Sequence, residues 1–246
     1  MFDYSAITKL DLENDIKNTL NISLEQIQKI KNEDTPSLGL FDLFERTISD
    51  LSGRVAFMAD VSKEEDIRDY GNEAESIIEN FLLEVTTDKE LFEKFKSIKT
   101  NTLDKESIKY FDEVIRDFID AGHELDNDKK TRLIEIEKKL IDLEINFSKN
   151  IAADKSEVIL NKSQLKGLSI DELNNFRKEE DNFIVTMAYP DINAVLENCE
   201  IRDSRKEVWK KFNNRAISSN SPILKEAVAL RNEKANLFGF NTWAEY

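Results

Sequence analysis

The sequence predicts an all-α fold with one short two-stranded β-ribbon. Glycine occurs 6 times and proline 3 times in 246 residues, too few turn residues for an all-β fold, which favours long helices joined by short loops. Apolar residues also recur at spacings of three and four along most of the chain, which is the period of an α-helix. With 40% hydrophobic residues, the chain can bury a sizeable core.

Helix starts in the first half of the chain are marked by capping boxes. In this motif a serine or threonine and a glutamate or glutamine three residues later satisfy each other's backbone amides. The pairs Ser23–Gln26, Ser62–Glu65 and Thr87–Glu90 fit it, and we expect a helix to begin at each. A further helix is predicted over 105–121. Its apolar face comprises Ile108, Phe111, Ile115 and Phe118.

The longest helix is predicted over 128–154, where two adjacent apolar stripes run side by side. The first comprises Leu133, Ile136, Leu140, Leu143, Phe147 and Ile151, and the second Ile134, Ile141 and Ile145. A helix that is apolar over so wide an arc packs on two sides, which predicts a central element of the fold. A self-associating coiled coil is the alternative, although the wide arc and Phe147 argue against a two-stranded seam.

The pattern changes near 155, which predicts a sub-boundary between a helical lobe over 1–154 and a ribbon plus helices over 155–246. Two short β-rich runs, Glu157–Leu160 and Asn182–Met187, predict the two-stranded ribbon. A small helix between them begins at the capping box Ser169–Glu172.

Helices are predicted again over 191–199, 203–217 and 222–238. Ser221 is the expected N-cap of the last helix, with Pro222 at its first position and Gly239 just past its end. Thr242–Glu245 is another capping box, but the sequence stops at Tyr246. Because so few residues cannot nucleate a helix, we expect this chain to be part of a longer one.

Charge and cysteine content exclude some functions and indicate a compartment. A net charge of −15 repels phosphate backbones, and the basic cluster 129–132 lies among acidic residues, so we interpret it as a solvated helix face and expect no nucleic-acid partner. No stretch reaches the ~18–20 apolar residues of a membrane span, and residues 1–5 do not begin a signal peptide. A single cysteine suits a reducing compartment, and we expect a cytoplasmic protein without a membrane partner.

The sequence lacks the residues that most known types of catalytic site require. His123 is the single histidine, so no site that needs two histidines can form within this chain, and we interpret it as a loop or cap residue. Cys199 lacks a histidine partner and is interpreted as a small helix residue. The acidic triplets 64–66 and 179–181 are interpreted as solvated charge. The sequence therefore predicts no catalytic and no metal-ligating residue, and leaves substrate-binding residues unknown.

The last 60 residues carry a resemblance to a known family. Its segments are Tyr189–Pro190, Val195–Leu196, Ile201–Lys206, Asn213–Ala216, Asn220–Leu224, Leu230–Phe240 and Trp243–Tyr246. This pattern resembles thimet-oligopeptidase-like zinc peptidases, a family that includes thimet oligopeptidase, neurolysin and oligopeptidase A. Looser agreement at 61–81 and 133–150 extends the resemblance over nearly the whole chain.

The resemblance implies a neurolysin-like, almost wholly helical N-terminal region of a zinc oligopeptidase over 1–246. In that family a deep channel admits short peptides, and zinc is held by a His-Glu-x-x-His helix plus a downstream glutamate. Those residues lie C-terminal of the segments that match here, so none of them is carried onto this chain. Zinc is therefore expected in the full-length parent and no cofactor in this chain. The expected partners are short peptides and the missing catalytic region.

Three interpretations stay open at this point. In the first, the chain is the N-terminal part of a cytosolic metalloendopeptidase that forms a wall of the substrate channel and is inactive alone. In the second, it is a natural stand-alone protein of the same ancestry that binds peptides without cutting them. In the third, it is a helical adaptor whose similarity to peptidases has no bearing on its function.

Overall fold

The computed structural model describes residues 6–34 and 37–246, so the segment 1–5 used above for the signal-peptide expectation lies outside the described residues. The helices are α1 (Lys9–Asn32), α2 (Leu38–Val55), α3 (Met58–Val61), α4 (Glu65–Thr86), α5 (Lys89–Lys96), α6 (Lys105–Phe118), α7 (Asn127–Ala152), α8 (Ile170–Asn175), α9 (Tyr189–Asn198), α10 (Arg202–Asn213) and α11 (Ile217–Leu237). A 3₁₀ turn spans Thr100–Thr102 and a π-helical turn spans Ile119–His123. The strands are β1 (Glu157–Asn161), β2 (Arg177–Glu179) and β3 (Asn182–Thr186).

The predicted, predominantly α-helical fold is confirmed, and the β-ribbon is larger than expected. Strands β1 and β3 pair antiparallel as the sequence predicts, and β2 extends the sheet on the other side of β3. The sequence pattern misses β2 because Arg177–Glu179 is charged and exposed, without alternating apolar residues. The helix between β1 and β2 begins at the predicted capping box of Ser169 and Glu172. No helix in the described ranges is both long and apolar enough to cross a bilayer.

The described chain divides into two compact units. The first contains the residues up to Ile145 together with Glu226–Tyr246, and the second contains Asn146–Lys225. The sub-boundary near 155 that the sequence predicts, between a helical lobe over 1–154 and a ribbon plus helices over 155–246, stays a prediction.

Phenylalanines from α2, α5 and α6 form the centre of the first unit. Phe41, Phe44, Phe95 and Phe118 are all buried. The Phe41 ring meets Phe95 edge-on at a centroid distance of 4.6 Å and stacks on Phe44 at 5.4 Å, which are favourable arrangements for aromatic rings. Helices α1 and α4 complete this core with aliphatic side chains: Leu12, Ile16, Ile27, Ile30, Ile67, Ala74 and Ile78.

The second unit packs α9 and α10 against the sheet. Val158 and Leu160 of β1 are buried while Ile159 between them is exposed, as expected for a strand with one face on a core. Val195 of α9 and Val208 of α10 belong to the same buried cluster.

Helix α7 confirms the long helix predicted over 128–154. Leu133, Ile136 and Leu143 are its buried residues. The remaining members of the two apolar stripes are half-buried: Ile134, Leu140, Ile141, Ile145, Phe147 and Ile151. The expected packing of this helix on two sides stays a prediction.

The start of α1 differs from the prediction. Its capping box is formed by Thr8 and Asp11, which satisfy each other's backbone amides. Ser23 lies buried in the middle of α1, where its hydroxyl donates to the carbonyl of Thr19. The helix start predicted at Ser23 is therefore wrong, because the apolar face of one 24-residue helix continues through this position.

Two further predicted caps are displaced by one or two residues. Glu64, not Ser62, is the N-cap of α4, and the Ser62 hydroxyl accepts a hydrogen bond from the Glu64 amide. Asp88, not Thr87, is the N-cap of α5, with its carboxylate accepting from the Leu91 amide. At α5, aspartate caps a helix at least as well as threonine, so Asp88 takes the position of its neighbour. At α4, the side chain of Glu64 makes no capping hydrogen bond.

Helix α11 begins five residues before the predicted start. Ala216 has a φ of 52°, and its amide donates to the carboxylate of Asp154 at 2.7 Å. This tertiary contact ends the α10 segment early and starts α11 at Ile217, so Ser221 and Pro222 lie inside the helix. The prediction of Ser221 as N-cap is wrong, because an acceptor 62 residues away supplies the cap.

The end of α11 follows the prediction. Gly239 has a φ of 88°, and the Phe240 amide donates to the carbonyl of Ala235, which completes a Schellman motif. The capping-box hydrogen bonds between Thr242 and Glu245 also form, in both directions at 3.3 Å. The expected continuation of the chain after this turn stays a prediction.

Candidate functional site

His123, the residue with most catalytic potential in the sequence, is engaged at both ring nitrogens. It lies at the end of the π-helical turn, with Nε2 2.8 Å from the carbonyl oxygen of Thr86 and Nδ1 3.4 Å from the Nζ of Lys130. Its ring stacks on Phe92 at a centroid distance of 4.4 Å. Burial, together with the charge of Lys130, lowers the pKa of His123, so the imidazole is neutral near pH 7 and donates from Nε2. His123 therefore joins helices at their boundary, which agrees with its interpretation as a cap residue.

The basic cluster 129–132 is exposed as predicted at Lys129, Thr131 and Arg132, and two of its residues also make contacts with other elements. Lys130 is half-buried and donates to the carbonyl of Thr87 at 3.0 Å. Arg132 binds both carboxylate oxygens of Glu233 in α11, at 2.7 and 3.0 Å. Two of the four residues thus connect elements, because a long side chain can reach a partner that is distant in sequence.

Cys199 and the acidic triplets are structural or solvated residues. Cys199 is buried at the C-cap of α9, one residue past the helix in which it was expected, and its thiol donates to the carbonyl of Gln164 at 3.2 Å. Glu65 and Asp66 lie in the first turn of α4, where acidic side chains complement the helix dipole. Glu180 and Asp181 form the exposed turn between β2 and β3.

The strongest candidate site is an acidic groove in the first unit. It consists of two adjoining clefts of about 290 and about 280 Å³ that share Glu79 and Ile141. We define the acidic groove by its charged lining residues: Glu75 and Glu79 of α4, Asp117 and Asp120 from the end of α6 and the following turn, Glu137 and Glu144 of α7, and Lys234 of α11.

Carboxylates in this groove raise one another's pKa. Burial and the charges of Glu144 and Asp60 raise the pKa of Glu75, and burial and the charges of Glu75 and Glu144 raise the pKa of Glu79. At the other end, burial and the charge of Asp120 raise the pKa of Asp117. Besides burial, the cause of these shifts is repulsion between neighbouring acidic side chains.

Lys234 is the basic side chain of the groove lining and neutralises one carboxylate. Its Nζ lies 2.6 Å from an oxygen of Glu137 and 5.4 Å from the ring centroid of Tyr246. Burial and the charge of Asp120 raise the pKa of Tyr246, so its hydroxyl stays a donor near pH 7. The rest of the groove keeps a negative potential that attracts protonated amines and other cations.

Among residues 6–34 and 37–246, no group of three or more His, Cys, Asp or Glu side chains is arranged to hold a metal ion. The sequence pattern does not reveal the acidic groove. Glu75 and Glu79 are one helical turn apart, and no basic residue of α4 lies one turn from both. This pair of like charges is the sequence feature that indicates the groove. It is a weak indication, because such pairs are common in a chain with 50 acidic residues.

Comparison with known proteins gives the class of the chain's relatives. No family model matches the sequence. Its curated relatives are oligopeptidases, and the resemblance to the thimet oligopeptidase and oligopeptidase A family predicted from the sequence is confirmed over about 94% of the chain.

The relatives come from both eukaryotes and bacteria, and three eukaryotic ones match over more than 90% of the chain. The chain is 28% identical to a thimet-like oligopeptidase of Dictyostelium discoideum over 94% of its length and 36% of that protein. It is 27% identical to saccharolysin of Saccharomyces cerevisiae over 95% of its length and 35% of that protein. It is 26% identical to a probable cytosolic oligopeptidase A of Arabidopsis thaliana over 92% of its length and 36% of that protein. The chain thus spans about a third of the length of the curated relatives it matches.

Proposed function

We propose that this chain is the N-terminal, non-catalytic part of a zinc-dependent oligopeptidase, that it forms a wall of the channel that admits short peptides, and that it is inactive alone. The observation that carries the proposal is similarity to oligopeptidases over 94–95% of this chain but 35–36% of theirs. A fold built of packed helices supports it, because rigid helices can form a wall that excludes folded proteins by size.

The residues that the structure describes do not fit a catalytic zinc ion. Such a site needs three protein ligands around an open position. Both ring nitrogens of His123 already contact Thr86 and Lys130, and the thiol of Cys199 is buried against a carbonyl. No step of peptide hydrolysis is therefore assigned to this chain, and the zinc ligands belong to the rest of the proposed protein.

The contribution we assign to this chain is physical. The acidic groove supplies negative potential, which favours peptides with a free amino terminus or basic side chains. The compartment that we propose is the cytoplasm, in agreement with the name of the Arabidopsis relative and with the single buried cysteine.

Two measurements test the proposal. Reading the gene beyond the codon for Tyr246 should reveal a His-Glu-x-x-His motif in frame. The purified 246-residue chain, assayed on fluorogenic peptides of five to fifteen residues, should show no hydrolysis with or without added zinc, whereas the product of the longer frame should cleave them. A stop codon after Tyr246 would instead favour a peptide-binding or adaptor protein. Hydrolysis of the peptides by the 246-residue chain would refute the proposal that the catalytic residues lie in another part of the protein.

A further inference from the structure

The exposed face of α10 in the second unit is basic. This helix contains five basic and two acidic residues, although the whole chain has 35 and 50. Arg202, Lys206 and Lys210 are exposed and follow one another at intervals of four, so they lie on one stripe of the helix surface. We call these three residues the basic stripe. Like charges at this spacing repel, so the stripe destabilises the helix unless an anion neutralises it.

The basic stripe has no carboxylate partner among the residues that the structure describes. Elsewhere in the second unit basic side chains do form ion pairs, as Arg177 does with Glu157 at 2.9 Å. The second unit contains 13 basic and 12 acidic residues, so it does not share the negative excess of the whole chain. The stripe therefore keeps a positive potential.

Exposed aromatic side chains adjoin the basic stripe. Trp209 lies three residues after Lys206 on the helix and is 55% exposed. Phe212, one turn further on, contacts the ring of Tyr189 edge-on at a centroid distance of 5.7 Å, and Tyr189 is 66% exposed. Tryptophan, tyrosine and arginine are the residues that interfaces between proteins favour. We call Tyr189, Trp209 and the basic stripe together the basic–aromatic face.

Packing within the second unit fixes the rotation of α10 about its own axis. Val208, on the side opposite the basic stripe, is fully buried in the core of this unit. The hydroxyl of Ser204, on the same side as Val208, donates to the carbonyl of Gln164 at 2.8 Å. Because these contacts hold one side of α10 in the core, the helix cannot rotate to bury Trp209.

The pattern of charge indicates which partner fits the face. Three cations beside a tryptophan complement a short segment that carries carboxylates next to an apolar side chain. Asp203 and Glu207 lie on the side of the stripe away from Trp209, so a long polyanion that crossed the stripe would meet like charges. This disfavours a nucleic acid, whose phosphates continue along the strand. A second copy is disfavoured because two bodies that each carry −15 repel one another.

We infer that the basic–aromatic face of α10 binds an acidic peptide segment of a separate molecule. Carboxylates of this segment pair with the basic stripe, and an apolar side chain between them packs on Trp209. The inference does not rest on the proposed function, because every residue of the face lies within 189–210 of this chain and none of them is assigned a part in peptide hydrolysis.

Tryptophan fluorescence tests the inference. The chain has two tryptophans, so Trp243→Phe leaves Trp209 as the fluorophore that reports on the face. This protein is titrated with the blocked peptide Glu-Glu-Leu-Glu-Glu, and with Lys-Lys-Leu-Lys-Lys as the control probe. The charge variant is Lys206→Gln with Lys210→Gln. The matched control variant is Lys155→Gln with Lys162→Gln, which removes the same charge from two other exposed positions of the second unit. Circular dichroism confirms that each variant folds.

The expected result is a saturable shift in Trp209 emission with the acidic probe, with a dissociation constant below about 1 mM. The charge variant should bind this probe about five- to ten-fold more weakly, and the control variant should bind it as the parent does. Affinity should fall as NaCl rises from about 50 to about 200 mM, because salt screens the pairs. Calorimetry with the product of the whole reading frame should give the same affinity for the acidic probe.

Several outcomes would overturn the inference. One is an equal response to the basic probe, and another is equal weakening by the charge variant and the control variant. Tighter binding of a single-stranded oligonucleotide or of anionic lipid vesicles would assign the face to one of those partners instead. A dimer of the 246-residue chain in ultracentrifugation that the charge variant abolishes would assign it to a second copy. Loss of binding in the longer protein would show that another part of that protein covers the face. If the frame ends at Tyr246 and the acidic probe binds, the proposed function fails and this inference stands.

Discussion

At the scale of single residues, His123 couples stability to pH. Its pKa is lowered in the folded state by burial and by Lys130, so the unfolded chain binds a proton more readily. The stability that His123 contributes is therefore complete above its usual pKa of about 6.5 and is lost as the pH falls through the lower, folded value.

We expect His123→Gln to reduce the free energy of unfolding at pH 7.5 by about 1–2 kcal/mol, because the stacking on Phe92 and the bond to Thr86 are weakened. The difference from the native chain should narrow below about pH 6.5, since the native chain loses stability there and the variant does not. Urea unfolding at pH 7.5, 6.5 and 5.5 measures this. A difference that stays constant over that range would contradict the assigned pKa shift.

Glu180 stores backbone strain in the turn between β2 and β3. Its φ of 53° lies in the left-handed region, where a side chain costs about 1 kcal/mol relative to glycine. Glu180→Gly should therefore stabilise the chain by about 0.5–1 kcal/mol in thermal unfolding. Asp181→Gly, the matched control at a position without positive φ, should give no gain. Equal effects at both positions would show that charge removal, not backbone strain, is responsible.

At the scale of elements, Gly71 sets how closely α3 and α4 approach. A Cβ at Gly71 would lie 2.5 Å from the backbone nitrogen of Ala59, and backbone cannot move aside as a flexible side chain can. Gly53 in α2 has open space around it. We expect Gly71→Ala to lower the free energy of unfolding by about 1–3 kcal/mol. Gly53→Ala should stabilise the chain by about 0.5–1 kcal/mol through helix propensity. Urea midpoints that shift in the same direction for both would refute this packing.

The acidic groove between α4 and α7 gives the opposite pH dependence to His123. The pKa of Glu79 is raised in the folded state by burial and by Glu75 and Glu144, so its ionised form destabilises the fold above that pKa. Glu79→Gln should raise stability at pH 7 by less than about 1 kcal/mol, because one part of the side chain is covered by protein and the rest is open to solvent, which screens its charge. The gain should vanish as the pH falls towards about 4.3, the usual value. Thermal unfolding between pH 7 and pH 4.5 tests both signs, and Glu73→Gln, on another side of α4, serves as the control.

Elements were predictable from the sequence where local signals act alone. The period of three and four located α7, and the capping box at Ser169 and the glycine at 239 marked true helix ends. Predicted helix starts were wrong where another residue took the capping role. Asp88, next to Thr87, caps α5, and Asp154 accepts a hydrogen bond from the Ala216 amide at a helix start five residues before Ser221. The acidic groove was not predictable for the same reason, because its carboxylates come from separate helices and only packing brings them together.

At the scale of the whole molecule, excess negative charge opposes the compact state. The chain has 50 acidic and 35 basic residues, so most long-range interactions near pH 7 are repulsive and salt screens them. The same salt weakens attractive pairs such as Arg132–Glu233, but exposed pairs of this kind contribute little. We therefore expect stability at pH 7 to rise between 10 and 150 mM NaCl, as the Debye length falls from about 30 Å to about 8 Å.

The control for this effect is the same titration close to the sequence pI of about 4.7, where the net charge approaches zero. There the repulsion that salt screens is small and the loss of ion pairs remains, so the effect of NaCl should vanish or reverse. The experiment compares the urea midpoints of unfolding under four conditions, given by the two pH values and the two salt concentrations. If salt lowered stability equally at both pH values, ion pairs between helices such as α7 and α11, and not the net charge, would dominate the electrostatics of the fold.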